Sequence, residues 1–292
     1  MANSITLQNQ DYFNKEAATY DSRHADLIQR LTTTIRDNVD FIGADWKTSN
    51  ATPDGEPVKL LDYACGTGML SRTLGDYVDQ CIGIDLSPQM VEIYNTRAAE
   101  ENIPSAARYA VQGDLADPSD PSPAALTGPE FYGFAIAAVG GGFHHFAHPG
   151  LAATRIVERL RPGGVLAIWD FFPHAHDHDD GDNHGHDHHG HGHGHGHGHD
   201  HGHHKHTHNP DTTGDDEATT TTTAAHKSEE RDGTHTITKH GFSEPELRDM
   251  FTAAGAGHEF AVLDMGHYSF KRDGQREMKR RMFLAKGRKG RD

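Results

Sequence analysis

Residues 60–71 read LLDYACGTGMLS, and they give the strongest indication of the fold. An apolar run ends in Asp62, two glycines follow at G-x-G spacing (Gly66 and Gly68), and a helix-compatible segment begins after them. The glycines let a ligand approach the backbone closely, and the first turn of a helix offers free N–H groups. The stretch therefore predicts a strand, a glycine turn and a helix that together bind a nucleotide-type ligand.

Strand-like and helix-like segments alternate around this turn. Strands are predicted at residues 58–63, 80–85, 107–112, 133–139 and 165–171. Helices are predicted at residues 69–77, 88–101 and 149–160, with Ser87 as an N-cap and the sequence RPGG at 161–164 as a stop signal. The alternation favours a doubly wound, mostly parallel sheet of the α/β class.

The two ends of the domain are also predicted from their patterns. Residues 11–45 carry apolar side chains at three- and four-residue spacings, which indicates helices. Ser243 and Glu246 have the spacing of a capping box before a helix that reaches residue 254. Two further strands are predicted at 258–264 and 279–286.

A histidine-rich tract interrupts the chain between residues 174 and 208. It holds 17 of the 26 histidines and no Leu, Ile, Val, Phe or Met. Such a segment cannot bury enough apolar area to offset its ordering entropy, so residues 173–235 are predicted to be a disordered insertion inside one domain. Imidazoles bind Zn²⁺ and Ni²⁺, which predicts weak divalent-metal binding without a dedicated site. The candidate ligands are His184, His186, His188, His189 and His191.

Charge and cysteine content limit the expected partners and compartment. The net charge of −16, with histidines neutral, argues against a nucleic-acid partner. Two cysteines imply no disulfide framework and fit a reducing compartment. No apolar run reaches the roughly 18 residues of a membrane span, and the N-terminus has no signal-type apolar core. We expect a cytoplasmic protein with no membrane partner; the sequence does not indicate an oligomeric state.

Asp85 lies at the end of the second predicted strand, 23 residues after Asp62. An acidic side chain at that place can accept hydrogen bonds from both hydroxyls of a ribose. The alternative interpretation is that Asp85 only caps the next helix. A dinucleotide site is less favoured, because its G-x-G-x-x-G/A pattern ends here in Ser71 and because Asp62 would lie near a pyrophosphate.

Several segments resemble, in the right order, those of the class I S-adenosylmethionine (SAM) methyltransferases. Residues 60–71 resemble the family's glycine-rich motif, with Ala64 in place of its first glycine. Further similar segments are QGDL at 112–115, FAIAAVGGGFHHF at 134–146, LRPGGVL at 160–166 and HGFSEPEL at 240–247. The stretch YFNKEAATYD at 12–21 is similar to the N-terminal lid of ubiquinone-biosynthesis-like small-molecule methyltransferases. Ala135 stands where the fourth strand of the family usually carries an acidic residue.

The resemblance implies a Rossmann-like sheet of seven strands, SAM as cofactor and a small-molecule acceptor. It implies a helical lid at residues 1–47 and a SAM-binding domain at 58–172 and 236–287. Asp62 would meet the ammonium of the cofactor, and Asp114 or the backbone beside it would hold the adenine amine. The implied cofactor-binding residues are Asp62, Gly66, Thr67, Gly68, Asp85, Leu86, Asp114, Leu115, Gly140 and Tyr20.

Two histidines follow the fourth predicted strand, where the active site of the family opens. His144 and His145 are the candidate general bases, and the alternative is that the pair only packs and binds backbone. Tyr12 and Tyr20 are candidate lid contacts to the ligand. The rival functions are a Zn- or Ni-binding protein on a methyltransferase-like scaffold and a regulator that binds SAM without transferring its methyl group. An NAD(P) oxidoreductase is the last alternative.

Overall fold

The structure is a computed structural model that describes residues 4–47, 55–174, 234–270 and 278–291. These ranges all belong to one unit of the chain, formed by Met1–His174 and Glu229–Asp292. The histidine ligands predicted at 184–191, and the disorder predicted for most of 173–235, lie outside the described ranges.

The sheet contains seven strands. They are β1 (Lys59–Tyr63), β2 (Gln80–Asp85), β3 (Arg108–Gln112), β4 (Phe134–Gly140), β5 (Leu160–Phe171), β6 (His258–Phe270) and β7 (Met278–Arg288). Their spatial order is β3-β2-β1-β4-β5-β7-β6, parallel from β3 to β5 and antiparallel from β5 through β7 to β6. The predicted doubly wound α/β fold is confirmed. The strand order reverses between β1 and β4, and folds of this class bind ligands in the crevice at that point.

Eight α-helices are described. They are α1 (Ser4–Glu16), α2 (Tyr20–Arg23), α3 (Ala25–Asp37), α4 (Val39–Ile42), α5 (Met69–Leu74), α6 (Pro88–Glu100), α7 (Pro149–Arg159) and α8 (Glu244–Ala253). Ser87 caps α6 through its hydroxyl, and Ser243 with Glu246 forms the predicted capping box of α8. No helix in the described ranges is long and apolar enough to cross a membrane.

Three predicted boundaries were wrong. The helical N-terminus begins at Ser4 and is divided into four helices, the last of which ends at Gly43, a glycine in the left-handed region at φ 66°. The RPGG sequence does not merely stop α7, since β5 already begins at Leu160. Strands β6 and β7 extend to the pair Phe270–Met278, because each satisfies the other's backbone groups along that length.

Apolar side chains cover both faces of the sheet, which is why the parallel strands are almost continuously apolar. Along β4, Ala137 and Val139 face a cluster that includes Ile156 of α7 and Phe251 of α8. Ile136 and Ala138 face the opposite cluster with residues of α3 and α5. Two covered faces leave the strand ends as the accessible part of the sheet.

Candidate functional site

A cavity opens at the carboxyl ends of β1, β2 and β4, and its empty volume including the mouth is about 940 Å³. Helix α1 contributes Thr6, Asn9 and Phe13 to its wall. Of the ten predicted cofactor-binding residues, six line this cavity: Tyr20, Gly66, Asp85, Leu86, Asp114 and Gly140. The other four, which are Asp62, Thr67, Gly68 and Leu115, are not part of the lining.

The glycine turn after β1 has the backbone conformation that its sequence indicates. Gly66 and Gly68 have φ values of 52° and 89°, and Ala64 is also left-handed at 54°. A side chain disfavours this region by about 1–2 kcal/mol, so Ala64 is a strained replacement for the family's glycine. At Gly68 a Cβ would lie 2.7 Å from the ring of Tyr94, so this position excludes a larger residue.

Asp85 joins the glycine turn to the start of α6. Its Oδ2 accepts the N–H of Gly66 at 2.7 Å, and its Oδ1 accepts the N–H of Ser87 at 2.8 Å. Burial raises the pKa of Asp85 to about 6, against the effect of these backbone hydrogen bonds. A carboxylate has about four acceptor sites, so Asp85 can still accept a hydrogen bond from a ligand hydroxyl.

Asp62 holds the first turn of α5. Its Oδ2 accepts the N–H of Ser71 at 3.0 Å and the hydroxyl of Ser71 at 2.7 Å, and Tyr94 donates to the same hydroxyl. The side chain is 1% exposed, and burial raises its pKa to about 7. These contacts make Asp62 a helix cap in this structure, whereas the sequence predicts a partner for the cofactor ammonium.

The segment after β3 presents Asp114 to the cavity through a contact with β1. Tyr63 donates to Asp114 Oδ1 at 3.1 Å and accepts the N–H of Leu115 at 2.9 Å. Burial raises the pKa of Asp114. Leu115 is fully buried and its N–H is already bonded, so the carboxylate rather than this backbone group is available to a ligand. Tyr63 was not among the predicted site residues, although it directly precedes the glycine turn.

The N-terminal helices are fastened to the glycine turn by Asp21. Its carboxylate accepts a hydrogen bond from Thr67 Oγ1 at 2.5 Å and pairs with Arg72 of α5 and Arg97 of α6. Tyr20, beside it, lines the cavity, and burial raises its pKa to about 12. The side chain of Thr67 therefore contacts α2 and is not part of the cavity wall.

His144 and His145 have different environments. His144 is buried, and its Nδ1 lies 2.9 Å from the carboxylate of Asp170, which also accepts the backbone N–H of His144. His144 does not line the cavity, whereas His145 does. Asp170 was not among the predicted site residues, although it is an acidic residue within the apolar strand β5. The ring of His144 binds a carboxylate, whereas the ring of His145 binds a backbone carbonyl, as the predicted alternative expects, and also lines the cavity.

His145 is held in one neutral form. Its Nδ1 lies 2.9 Å from the carbonyl of Thr236, so Nδ1 carries the proton and Nε2 the lone pair. Burial, followed by the charge of His144, lowers the pKa of His145 to about 3. Thr236 belongs to a turn at Thr234–Thr236 that begins two residues inside the segment predicted to be disordered. Tyr12 lies outside the cavity lining and packs against His235 in the same turn.

No group of three or more His, Cys, Asp or Glu side chains in the described ranges is arranged to hold a metal ion. Weak metal binding by the tract stays a prediction, since residues 184–191 are not among those ranges.

Comparisons with known proteins agree on one family. A family model described as a methyltransferase domain matches residues 13–208. An uncharacterized methyltransferase of Schizosaccharomyces pombe is 29% identical over 143 residues, which are 48% of this chain and 46% of the yeast protein. The chain thus matches about half the length of that relative.

Two solved structures have the same fold. A SAM-dependent methyltransferase from Anabaena variabilis superimposes with a TM-score of 0.55 at 16% identity, covering 98% of this chain and 96% of that one. A putative methyltransferase from Bacillus halodurans gives a TM-score of 0.53 at 15% identity, covering 88% of this chain and 98% of that one. At these identities the likeness is one of fold.

Proposed function

The chain belongs to the class I SAM-dependent methyltransferases, and on this premise we propose that it transfers the methyl group of SAM to a small-molecule acceptor. The observation that carries the proposal is the placement of Asp85. This buried carboxylate lines the cavity beside Gly66 and keeps lone pairs for a ribose. It occupies the position that nucleotide-binding sheets use for ribose recognition.

The charges of the cavity fit SAM better than a dinucleotide. Among the described residues, the lining includes the carboxylates of Asp85 and Asp114 and no Lys or Arg. SAM carries a sulfonium and an ammonium, which carboxylates attract, whereas the pyrophosphate of NAD(P) is anionic. These two acceptors therefore support SAM, with Asp85 accepting from the ribose hydroxyls and Asp114 from the adenine amine.

When bound, SAM supplies an electrophilic methyl group, so the protein has to align a nucleophile and exclude water. Helix α1 serves both purposes. Asn9 donates to the carbonyl of His145 at 2.9 Å, and the ring of Phe13 packs against that of His145 at 5.2 Å. A cavity covered by a helix in this way fits a small acceptor rather than a macromolecule.

His145 is the group best placed to receive the proton of a hydroxyl acceptor. Its neutral ring lines the cavity, and its lone pair is on Nε2. A low pKa does not prevent this role, because an oxygen that gains a methyl group before losing its proton is far more acidic than an imidazolium. His144, bound to Asp170, supports the position of His145 through ring contact at 4.1 Å.

Residues 1–47 act as a lid in this proposal, and residues 58–172 with 236–287 form the SAM-binding domain. The contacts of Asp21 with Thr67 and of Asn9 with His145 support this division, since both fasten N-terminal helices over the cavity. The resemblance of residues 12–21 supports the ubiquinone-biosynthesis-like type of small-molecule methyltransferase.

Thermal unfolding with S-adenosylhomocysteine tests the cofactor site. We expect this product to raise the melting temperature of the wild type and to lose most of that effect in Asp85→Ala. Asp40→Ala, which alters an exposed carboxylate on α4, is the matched control and should respond like the wild type. A full response of Asp85→Ala would remove the main support for the site.

A screen of small metabolites with SAM labelled on the methyl group tests the reaction. Label transfer separates an enzyme from the second candidate, a SAM-binding regulator. If S-adenosylhomocysteine stabilises the protein but no acceptor is labelled, the regulator becomes the better interpretation.

A further inference from the structure

Asn9 of α1 has a buried side-chain oxygen that the fold leaves without a partner. The residue is 7% exposed and lines the cavity. Its Nδ2 donates to the backbone carbonyl of His145 at 2.9 Å. Among the described residues, no group donates a hydrogen bond to its Oδ1. The reverse orientation of the amide is excluded, because it would set Oδ1 against the carbonyl oxygen of His145.

A buried acceptor without a donor destabilises a protein, and native structures hold few of them. Asn9 Oδ1 is a buried acceptor of this kind among the described residues, and Asn9 also lines the cavity. The position of this oxygen therefore indicates a donor that a ligand brings.

The surroundings of Asn9 define the ligand further. The lining residues from α1 and from residues 140–148 include Phe13 and Phe146 but no Lys, Arg, Asp or Glu. The charged lining residues, Asp85 and Asp114, belong to the strand ends of β2 and β3. An anionic or cationic group at the α1 end would lose its hydration without gaining an opposite charge.

Two acceptor atoms thus lie on neighbouring residues of this wall, Asn9 Oδ1 and the Nε2 of neutral His145. The contact of Asn9 Nδ2 with the His145 carbonyl keeps the two residues together. A molecule that satisfies both acceptors needs two donor groups. One of them is the hydroxyl that is methylated, since its proton has to be removed.

We propose that the methyl acceptor is a neutral, largely apolar small molecule with two neighbouring donors, one a hydroxyl methylated beside His145 and the other an O–H or N–H bound by Asn9 Oδ1. The inference rests on the proposed methyltransferase function. In the reaction the hydroxyl oxygen forms the new C–O bond, the S–CH₃ bond breaks with its electron pair moving to sulfur, and the hydroxyl proton passes to His145 Nε2. The products are a neutral methyl ether and S-adenosylhomocysteine.

A panel of matched acceptors tests the substrate class. Each set consists of four compounds on one framework. The position next to the reacting hydroxyl carries a second hydroxyl, a hydrogen, a carboxylate or an aminomethyl group. On benzene these are catechol, phenol, salicylate and 2-hydroxybenzylamine, and naphthalene and a six-carbon chain give the equivalent sets. With methyl-labelled SAM, we expect the diols to be labelled fastest. The compounds that carry a carboxylate or an aminomethyl group should be labelled at least about 10-fold more slowly. Faster labelling of the charged partners, or no label in any diol, overturns the proposal.

Asn9→Leu tests the assigned residue, and Gln8→Leu is its matched control. Gln8 is an exposed amide on the same helix, so its replacement leaves the cavity unchanged. In Asn9→Leu we expect kcat/KM for the diol to fall about 10-fold relative to that for the mono-ol, because one hydrogen bond to a neutral donor is lost. An unchanged ratio of diol to mono-ol would count against the assignment.

Thermal stabilisation by S-adenosylhomocysteine distinguishes a failure of the proposed substrate class from a failure of the proposed methyltransferase function. If the product stabilises the wild type while the diols stay unlabelled, the substrate class fails and the cofactor site stands. If the product stabilises neither the wild type nor Asn9→Leu, the methyltransferase proposal fails as well.

Discussion

Asp21 of α2 and Thr67 of the glycine turn are joined by a hydrogen bond of 2.5 Å from the threonine hydroxyl to the carboxylate. The same carboxylate lies between the guanidinium groups of Arg72 and Arg97, which belong to the helices after β1 and β2. One acidic side chain therefore links α2 to the glycine turn and to helices α5 and α6.

Asp21→Asn should loosen this connection. Without the carboxylate, two guanidinium groups face each other without a counter-charge, so closure is opposed by repulsion. We expect KM for SAM to rise about 10-fold and amide hydrogen exchange in α1 and α2 to accelerate. Asp26→Asn, an exposed acid in the first turn of α3, is the control. Equal exchange rates in the two variants would show that Asp21 does not hold the helices.

Gly68→Ala should destabilise the fold by about 2–4 kcal/mol. Its φ of 89° disfavours a side chain, and the new Cβ would meet the Tyr94 ring at 2.7 Å. Gly75→Ala is the matched control, because its φ is −58° and no atom lies within 4 Å of the new Cβ. There we expect no loss, or a gain of up to about 1 kcal/mol. Urea unfolding measures both, and similar losses would contradict the steric argument.

Asp62→Asn should change how stability depends on pH. Burial raises the pKa of Asp62 from 3.8 to about 7, so the folded state binds more protons than the unfolded state between these values. Its contribution to stability is complete below pH 3.8 and is lost as pH rises through 7. Asparagine stays neutral at every pH, so Asp62→Asn does not lose this contribution to stability.

Relative to the wild type, we expect Asp62→Asn to gain on the order of 2–4 kcal/mol at pH 8 compared with pH 4, since one pKa unit corresponds to about 1.4 kcal/mol. Unfolding of the ligand-free protein at both pH values measures this difference. Asp76→Asn, at an exposed position, should show no such gain. A constant difference between Asp62→Asn and the wild type would mean that Asp62 is ionised in the folded protein throughout.

Protonation of His145 should not lower the rate of methyl transfer near pH 6.5. Burial lowers the pKa of His145 to about 3, so its lone pair is available at every pH above about 4. The stability that His145 contributes depends on pH in the opposite sense to that of Asp62. This contribution is complete above pH 6.5 and is lost as pH falls through 3. A loss of kcat below pH 6.5 that disappears on changing His145 would contradict this.

His145→Asn separates structure from chemistry at the same residue. The asparagine amide can replace Nδ1 as the donor to the Thr236 carbonyl, but it has no counterpart of Nε2. We expect kcat to fall about 100-fold with little change in KM for SAM. His258→Asn, at an exposed position on β6, is the control. A comparable loss of SAM binding would instead assign His145 to cofactor binding.

Most of the fold could be predicted because its signals are local. The glycine turn at 64–68, the cap at Ser87 and the capping box at Ser243 depend on a few adjacent residues, and each has the predicted conformation. The lengths of β6 and β7 were underestimated because their last pairs are stabilised by each other rather than by an apolar pattern.

The sequence by itself determined the α/β alternation, the strand that ends at the glycine turn and the presence of Asp85 beside it, since periodicity and backbone conformation are properties of neighbouring residues. Which acidic groups reach the cavity depends on the tertiary structure. Asp85 and Asp114 line the cavity, whereas the carboxylate of Asp62 accepts the N–H of Ser71. The tertiary structure also brought Asn9 to His145, 136 residues away. Burial and hydrogen-bond partners depend on such distant contacts, and these contacts set both the pKa values and the unsatisfied acceptor on which the proposed substrate class rests.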